Sequence, residues 1–393
     1  MMNIRTLNPI ADSIFDYLEP ARYAVSGDAA SPVGILVRSA DCRDMEFGPE
    51  LLAIARAGAG VNNIPLERCA RAGIAVFNTP GANANAVNEL ALCCMLMVSR
   101  NVIEGVEWVN KLTGADIPLQ VEQGKRRFLG HELAGKTLAV IGLGAIGVMV
   151  ANDAHAIGMR VIGYDPYVSI EHAWGLSRAI HRGNSLEEIL PQCDYVSVHI
   201  PLMEKTRHFL NWRAFSIMKP GAIVLNLARG ELVDNAALLA AIEKGVVKKY
   251  VTDFPTEELL NRKGVVCVPH LGATTPESEE NCARMAAKEL DAYLRYGNIQ
   301  NSVNMPQCGM TPTGSYRLCA LHKNAKNMVG QISSAVAAAN GNIANMINAS
   351  RNEIAYTLMD LDDALPEAVT AKIQAIDGVI RIRTINTNGN AEG

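Results

Sequence analysis

The stretch Thr137–Asp165, TLAVIGLGAIGVMVANDAHAIGMRVIGYD, decides the fold of this chain. An apolar run at its start predicts a buried strand, a helical pattern follows, and a second apolar run ends at Asp165. Between the first strand and the helix stand three glycines in the pattern Gly-x-Gly-x-x-Gly, namely Gly142, Gly144 and Gly147. Strand, glycine turn, helix, strand and acid in this order are typical of a dinucleotide-binding βαβ unit.

The glycines and the acid have separate predicted roles in holding NAD. Gly142 permits the tight turn, Gly144 lets the backbone approach the pyrophosphate, and Gly147 lets the helix pack close to the strand. The helix N-terminus presents unpaired N–H groups and a partial positive charge to the pyrophosphate. Asp165 is placed to accept hydrogen bonds from the adenosine ribose, and its charge repels a 2′-phosphate, so we expect NAD rather than NADP.

Length and composition limit the class of protein. A chain of 393 residues is long enough for two or three domains. A net charge of −4 gives no electrostatic case for nucleic acid or a membrane surface as a partner. No apolar stretch approaches the ~18 residues of a spanning helix, and the N-terminus lacks the pattern of a signal peptide. The nine cysteines show neither a CxxC pair nor metal-ligand spacing, which predicts reduced thiols, no bound metal and a cytoplasmic location.

Apolar runs alternate with helical patterns on both sides of the glycine turn, which predicts parallel sheets with ligands at the carboxyl ends of their strands. Long helices predicted at 84–108 and 277–296 flank the dinucleotide-binding part, as expected if the chain leaves one lobe, builds a second and returns. We therefore predict an α/β protein with two Rossmann-like parallel-sheet lobes, one of them discontinuous. The predicted domains are 1–104 (substrate binding), 105–276 (NAD binding) and 277–306 (return to the substrate-binding domain).

A third domain is predicted at the C-terminus. Residues 307–315 are rich in glycine, proline and threonine, which predicts a linker. Residues 316–393 follow a strand–helix–strand–strand–helix–strand pattern, which is typical of a ferredoxin-like unit. The polar residues 386–393 at its end are predicted to be a disordered tail.

Candidate catalytic residues follow strands of the NAD-binding sheet. Oxidation of a 2-hydroxy acid needs a cation for the substrate carboxylate, a base for the hydroxyl proton, and an acid that holds the base. Arg229 directly follows a strand, and its guanidinium can bind a carboxylate bidentately. His270 lies at another strand end beside a turn of small residues and is the candidate base, whereas His199 is interpreted as structural. Glu257 and Glu258 lie in a loop, and either could pair with His270.

Five motifs, GLGAIG, YDP, NLARG, DFPTEE and PHLGA, stand in this order, and together they resemble the D-isomer-specific 2-hydroxyacid dehydrogenases. The N-terminal stretches RAGAGVNN and FNTPGANANAVNEL and the C-terminal unit resemble the members that oxidise 3-phosphoglycerate, in their shorter form with one regulatory ACT domain. The resemblance implies NAD-dependent oxidation of 3-phosphoglycerate to 3-phosphohydroxypyruvate, the first step of L-serine biosynthesis. It also implies a homodimer or homotetramer.

The resemblance implies the catalytic set Arg229, Glu257 and His270, in which Glu257 is chosen over Glu258 by its spacing from Phe254. The same spacing puts Thr252 where the family usually has an aspartate near the nicotinamide, with Asp253 one residue away. The implied cofactor-binding residues are Thr79, Gly142, Gly144, Ala145, Ile146, Gly147, Asp165, Leu227, Ala228, Asp253 and Gly272. The implied binding residues for the substrate carboxylate or phosphate are Arg56, Ala57, Gly58, Ala59 and Gly60.

ACT domains of this family pair side by side and bind serine between subunits, and the resemblance places serine ligands at His322, Asn324 and Asn342. Lys326-Asn327 replaces the usual Pro-Gly, so serine inhibition and a purely dimer-forming role both stay open. One alternative is another D-2-hydroxyacid dehydrogenase, such as a glyoxylate/hydroxypyruvate reductase, against which Arg56 and the ACT-like unit count. A second alternative is an NAD-sensing, corepressor-like binding protein, for which the sequence shows no basic patch or partner-binding tail.

Overall fold

The computed structural model describes residues 1–387 and divides the chain into two compact units. One unit combines residues 1–82 with the residues from 279 onwards, and the other comprises residues 83–278. Along the sequence, the boundaries between the two units therefore fall at 82/83 and 278/279. The sequence analysis set the domain boundaries at 104/105 and 276/277. The predicted third domain lies in the same compact unit as the N-terminal residues.

The N-terminal part of the first unit is a small parallel sheet. Its strands are β1 (Met2–Thr6), β2 (Tyr23–Ser26), β3 (Gly34–Val37), β4 (Ala53–Arg56) and β5 (Ala75–Asn78), with helix α1 (Leu66–Arg71) before β5. The strand order is β2-β1-β3-β4-β5, and every pair is parallel. Neither β1 nor β2 carries an apolar run that would predict a strand from the sequence; in β1 only Ile4 is buried.

The second unit is built on a seven-stranded sheet, all of whose strand pairs are parallel. Its strands are β6 (Thr137–Ile141), β7 (Arg160–Tyr164), β8 (His181–Arg182), β9 (Tyr195–Val198), β10 (Ala222–Asn226), β11 (Val247–Thr252) and β12 (Val265–Cys267). The order β12-β11-β10-β9-β6-β7-β8 reverses between β6 and β9, and ligands of such sheets bind at the carboxyl ends beside this switch point. The prediction of Rossmann-like parallel sheets is confirmed.

The helices of the second unit include one pair that the sequence analysis had joined. They are α2 (Ala84–Ser99), α3 (Val102–Val109), α4 (Ile117–Gly124), α5 (Ala145–Ala156), α6 (Ile170–Gly175), α7 (Leu186–Ile189), α8 (Trp212–Ser216) and α9 (Asn235–Glu243). The prediction of one helix over 84–108 was wrong, because Asn101 adopts a left-handed backbone with φ 50° and ends the helical run. Among residues 1–387, no single helix is long and apolar enough to cross a membrane; α2 and α3 pass that test only together, as a pair bent by 64°.

The C-terminal part of the first unit is the predicted ferredoxin-like fold. After helix α10 (Pro276–Tyr296) come β13 (Tyr316–Lys323), α11 (Met328–Ala338), β14 (Ile343–Arg351), β15 (Ile354–Leu361), α12 (Glu367–Gln374) and β16 (Val379–Asn386). The sheet is antiparallel with the order β14-β15-β13-β16. The predicted tail begins too early, since Asn386 belongs to β16 and the amide of Thr387 donates to Ser315 O (2.9 Å). The rest of that predicted tail, residues 388–393, lies outside the described residues.

Candidate active site

The glycine turn of the second unit has the geometry that a dinucleotide requires. Gly142 adopts φ 93°, and a Cβ there would lie 2.6 Å from the carbonyl oxygen of His199. A Cβ on Gly147 would overlap the Gly142 carbonyl oxygen, whereas one on Gly144 would meet nothing within 4 Å. The first turn of α5, with Ala145 and Ile146, has no side-chain cap, so its amides are available to a pyrophosphate. The residues of this turn therefore fit NAD.

Asp165 follows β7 beside this turn. One carboxylate oxygen accepts the amide of Leu143 (2.9 Å), and the other accepts the amide of Tyr167 (2.8 Å). These bonds hold the carboxylate at the carboxyl edge of the sheet, next to the glycine turn. The placement agrees with a ribose-binding acid.

The candidate catalytic residues follow three neighbouring strands. Asn226 of β10 is in register with Thr252 of β11, which is in register with Cys267 of β12. Arg229 and His270 each come three residues after the last residue of their strand. Adjacent strands lie ~4.8 Å apart, so the structure brings these loops together at one edge of the sheet.

The backbone at Arg229 is held by a residue that the sequence analysis did not assign. Asn226 is fully buried; its side-chain amide donates to Arg229 O (2.8 Å), and its carbonyl oxygen accepts the amide of Ala228 (3.2 Å). Arg229 is half-buried, and its guanidinium donates to Ala228 O (2.6 Å). Leu227, an implied cofactor neighbour, is buried in the hydrophobic core. The sequence signal that could have identified Asn226 is a polar residue at the end of the buried strand before Arg229.

His270 is exposed and packs against the ring of Phe254, with ring centroids 4.9 Å apart. It lines a cavity of about 750 Å³ within the second unit, together with residues 230–231, 233–236, 253–256 and Glu258. Glu258 accepts a hydrogen bond from Asn235 Nδ2 (3.4 Å), whereas Glu257 is exposed and does not line this cavity. Of the two candidate acids, Glu258 thus shares the cavity with His270.

Asp253 and His199 each have hydrogen-bond partners that could not be predicted from the sequence. Asp253 is 1% exposed, and its carboxylate accepts the amides of Leu271 (2.7 Å) and Gly272 (2.9 Å). Burial raises the pKa of the Asp253 carboxyl, which these backbone bonds partly oppose. His199 bonds Ser197 (2.8 Å), and burial lowers its pKa to about 4, in line with a structural histidine that is neutral at physiological pH.

The implied substrate loop belongs to the first unit. Arg56 ends β4; its Nε donates to Arg38 O (2.9 Å), and another of its N–H groups donates to Gly60 O. Thr79 is fully buried, and its hydroxyl accepts the amide of Gly58 (2.8 Å). Thr79 therefore supports the loop of residues 57–60, and the cofactor contact that the resemblance implies for it stays a prediction.

The implied serine ligands lie at opposite ends of the C-terminal sheet. His322 is 1% exposed, its ring nitrogens bond Lys323 O (2.8 Å) and Thr357 (2.9 Å), and burial lowers its pKa. Asn324 follows it near Asn352 (3.1 Å). Asn342 directly precedes β14, whose first residue, Ile343, pairs with Leu361 of β15. Lys323, between His322 and Asn324, pairs with Ile354 at the other end of β15. The two ends of β15 are seven residues apart, which corresponds to ~23 Å. One chain therefore does not bring the three residues together.

The replacement of Pro-Gly by Lys326-Asn327 is accommodated locally. Asn327 adopts a left-handed backbone with φ 64° at the start of α11. Asparagine is one of the few residues that tolerate this conformation, so the turn does not need glycine.

Among residues 1–387, no group of three His, Cys, Asp or Glu side chains could hold a metal ion. The groups that the second unit places near its dinucleotide turn are a guanidinium, an imidazole and carboxylates.

Comparisons with known proteins agree with this geometry. Residues 92–272 match the family described as D-isomer specific 2-hydroxyacid dehydrogenase, NAD binding domain. The chain is similar to D-3-phosphoglycerate dehydrogenase of Haemophilus influenzae, with 32% identity over 87% of this chain and 83% of that protein. It is 36% identical to D-3-phosphoglycerate dehydrogenase of Methanocaldococcus jannaschii over 70% of this chain, but spans only about half (51%) of that relative.

A solved structure resembles the fold. The NAD⁺-bound 3-phosphoglycerate dehydrogenase of Entamoeba histolytica superposes with a TM-score of 0.61 at 27% identity, over 77% of this chain and 98% of that one.

Proposed function

The chain belongs to the D-isomer-specific 2-hydroxyacid dehydrogenases, and we propose that it oxidises the C2 hydroxyl of D-3-phosphoglycerate to the ketone of 3-phosphohydroxypyruvate with NAD. The observation that carries the proposal is the arrangement at one sheet edge. Arg229 follows β10 and His270 follows β12, with only β11 between them, in the same sheet that carries the glycine turn and Asp165.

Each residue has a definite part in this reaction. The Arg229 guanidinium binds the C1 carboxylate bidentately and stabilises charge on the C2 oxygen as it becomes a carbonyl. His270 accepts the proton of the C2 hydroxyl as general base. When bound, NAD supplies the acceptor for the hydrogen that leaves C2 with its electron pair. The products are the ketone, NADH and a proton, so atoms and electrons balance.

The substrate phosphate and the partner of His270 are assigned by family spacing. The loop of residues 57–60, with Arg56, binds the phosphate or carboxylate, and Glu257 stabilises the imidazolium of His270. Glu258, which lines the His270 cavity, is the competing candidate. Glu257→Gln and Glu258→Gln, compared singly in steady-state assays, separate the two, since only the true partner lowers kcat strongly.

The test is NADH formation from 3-phosphoglycerate, with the reverse reaction started from 3-phosphohydroxypyruvate and NADH. Arg229→Lys keeps the charge but loses the planar fork, so kcat/KM is expected to fall about 100-fold while NAD binding stays intact. Arg213→Lys, at an exposed ion pair with Glu187, is the matched control. Turnover only on unphosphorylated D-2-hydroxy acids would make the protein another dehydrogenase of this family, and NAD binding without turnover would favour a sensor.

The C-terminal sheet carries a second part of the proposal. We expect a cytoplasmic homodimer or homotetramer in which ACT-like sheets of two copies pair side by side. A serine site would then draw Asn324 from one copy and Asn342 from the other. Serine titration of activity, together with sedimentation, tests this, and a monomer that ignores millimolar serine would contradict it.

A further inference from the structure

The loop that carries His270 is held by a buried carboxylate. Asp253, the first residue after β11, is 1% exposed. Its two oxygens accept the consecutive amides of Leu271 (2.7 Å) and Gly272 (2.9 Å). Two charge-assisted bonds to adjacent amides fix both the position and the direction of that peptide segment.

The segment needs such a restraint. His270 adopts a left-handed backbone with φ 51°, which is unfavourable for a residue with a Cβ unless the surrounding structure imposes it. The amide of His270 donates to Val268 O (3.0 Å), and the amide of Thr274 donates to Leu271 O (3.0 Å), so the turn is tight on both sides of the Asp253 bonds.

Phe254, the next residue along the chain, fixes the imidazole itself. Its ring lies 4.9 Å from that of His270 at 58°. Its own amide donates to Thr252 Oγ1 (3.1 Å), and a Cβ on Gly230, beside Arg229, would lie 3.2 Å from its Cβ. The ring of Phe254 therefore stands between the loop of Arg229 and that of His270.

We propose that Asp253 is a positioning residue: by holding the amides of Leu271 and Gly272 it fixes the turn at His270, so that the imidazole rests on Phe254 in reach of the substrate at Arg229. This role differs from the cofactor contact that the family resemblance implies for Asp253, which stays a prediction. The kinetic consequence rests on the proposed function, whereas the backbone restraint does not.

The test compares two aspartates that accept backbone amides at opposite ends of the strands of one sheet; Asp194 also pairs with Lys219 (2.7 Å), whereas Asp253 bonds two amides. Asp253→Asn replaces one acceptor oxygen by an N–H₂ that faces an amide, so one bond to the turn is lost. Asp194→Asn is the matched control, because Asp194 accepts the amide of Thr137 (2.9 Å) just before β9, away from the active edge. For Asp253→Asn we expect kcat to fall about 10- to 100-fold with the NAD dissociation constant within about twofold of wild type.

A second readout does not depend on the substrate. Hydrogen exchange at the Leu271 and Gly272 amides is expected to accelerate in Asp253→Asn and to stay unchanged in Asp194→Asn. If the wild type fails to oxidise 3-phosphoglycerate, the proposed function falls while the exchange measurement still tests the restraint.

Three results would overturn the inference: kcat of Asp253→Asn within twofold of wild type, unchanged exchange at the two amides, or an equal loss of kcat in the Asp194 control. If Asp253→Asn does not fold, Phe254→Leu tests the other part of the proposal, the contact between the imidazole of His270 and the ring of Phe254. It is expected to lower kcat while the two amides stay protected, and wild-type kcat in that variant would contradict the proposal.

Discussion

At the scale of single residues, the charge of Asp165 is expected to decide between NAD and NADP. Asp165→Asn keeps the size of the side chain and removes the charge that repels a 2′-phosphate, so the ratio of kcat/KM for NAD to that for NADP should fall at least about tenfold, or about 1.4 kcal/mol. Steady-state assays with both cofactors measure the ratio. Asp153→Asn, in the last turn of α5, is the control, and an unaltered ratio in Asp165→Asn would show that the acid does not face the ribose.

A different kind of residue, Glu289 of α10, is buried without a full set of partners. It is 4% exposed, Asn301 Nδ2 donates to one of its oxygens (2.7 Å), and within the described part of the chain no group bonds the other. Burial raises the pKa of its carboxyl from 4.5 to about 8. The folded protein therefore keeps Glu289 protonated near neutral pH, while the unfolded chain ionises it.

The pKa of Glu289 predicts how stability depends on pH. Below pH 4.5 both states hold the proton; from there to about pH 8 only the unfolded chain releases it, so the free energy of unfolding decreases as pH rises. Glu289→Gln is neutral throughout and should be more stable than wild type by a few kcal/mol at pH 8, with the gain shrinking towards pH 5. Urea unfolding at several pH values measures this, with Glu279→Gln, an exposed partner of Arg38, as control. A pH-independent difference would contradict it.

At the scale of elements, the C-terminus of α10 is capped by side chains of the ferredoxin-like sheet. Arg383 of β16 donates to the carbonyls of Tyr293 and Leu294. Arg317 of β13, fully buried and paired with Asp360 (2.6 Å), donates to Tyr296 O (2.7 Å). The last carbonyls of a helix have no partners within the helix, and cations interact favourably with this end.

These caps predict a stability effect at α10. Arg383→Met keeps the aliphatic stem and removes the donors to two carbonyls, so the free energy of unfolding should fall by about 2 kcal/mol with kcat unchanged. Arg351→Met, which loses one exposed bond to Ser302 O, should cost less than half as much. Thermal and urea unfolding compare the two. Equal losses would mean that the helix end does not depend on Arg383.

The elements also show what the sequence could predict. Strands with apolar runs, and the placement of Arg229 and His270 at strand ends, follow from local pattern, because the carboxyl ends of parallel strands share one edge. Short half-exposed strands such as β1 have no such pattern. The break at Asn101 depends on one left-handed residue, and the bonds from Asp253 to the turn after His270 join segments 18 residues apart, so neither is encoded in a local signal.

At the scale of the whole molecule, the ferredoxin-like sheet is part of the first unit's core. Leu321, Tyr356 and Leu358 of that sheet share one hydrophobic cluster with Ile4 of β1 and Leu290 of α10. Arg381 of β16 also donates to Leu51 O (2.5 Å) and Pro49 O (3.0 Å). A regulatory domain attached only by a linker would not share a core with the residues before it.

Deletion of residues 307–393 is therefore expected to destabilise the first unit, and not to yield a stable enzyme freed from regulation. The deletion removes the donors to Tyr293 O, Leu294 O and Tyr296 O and exposes the apolar cluster around Leu290. The truncated protein should lose activity and unfold at a Tm at least several degrees below wild type, while residues 83–278, a separate compact unit, keep NAD binding. Deletion of residues 388–393 alone is the control. Burial of that apolar surface is the interaction expected to stabilise the first unit. A truncated chain with wild-type Tm and kcat would therefore show that the shared core contributes nothing to its stability.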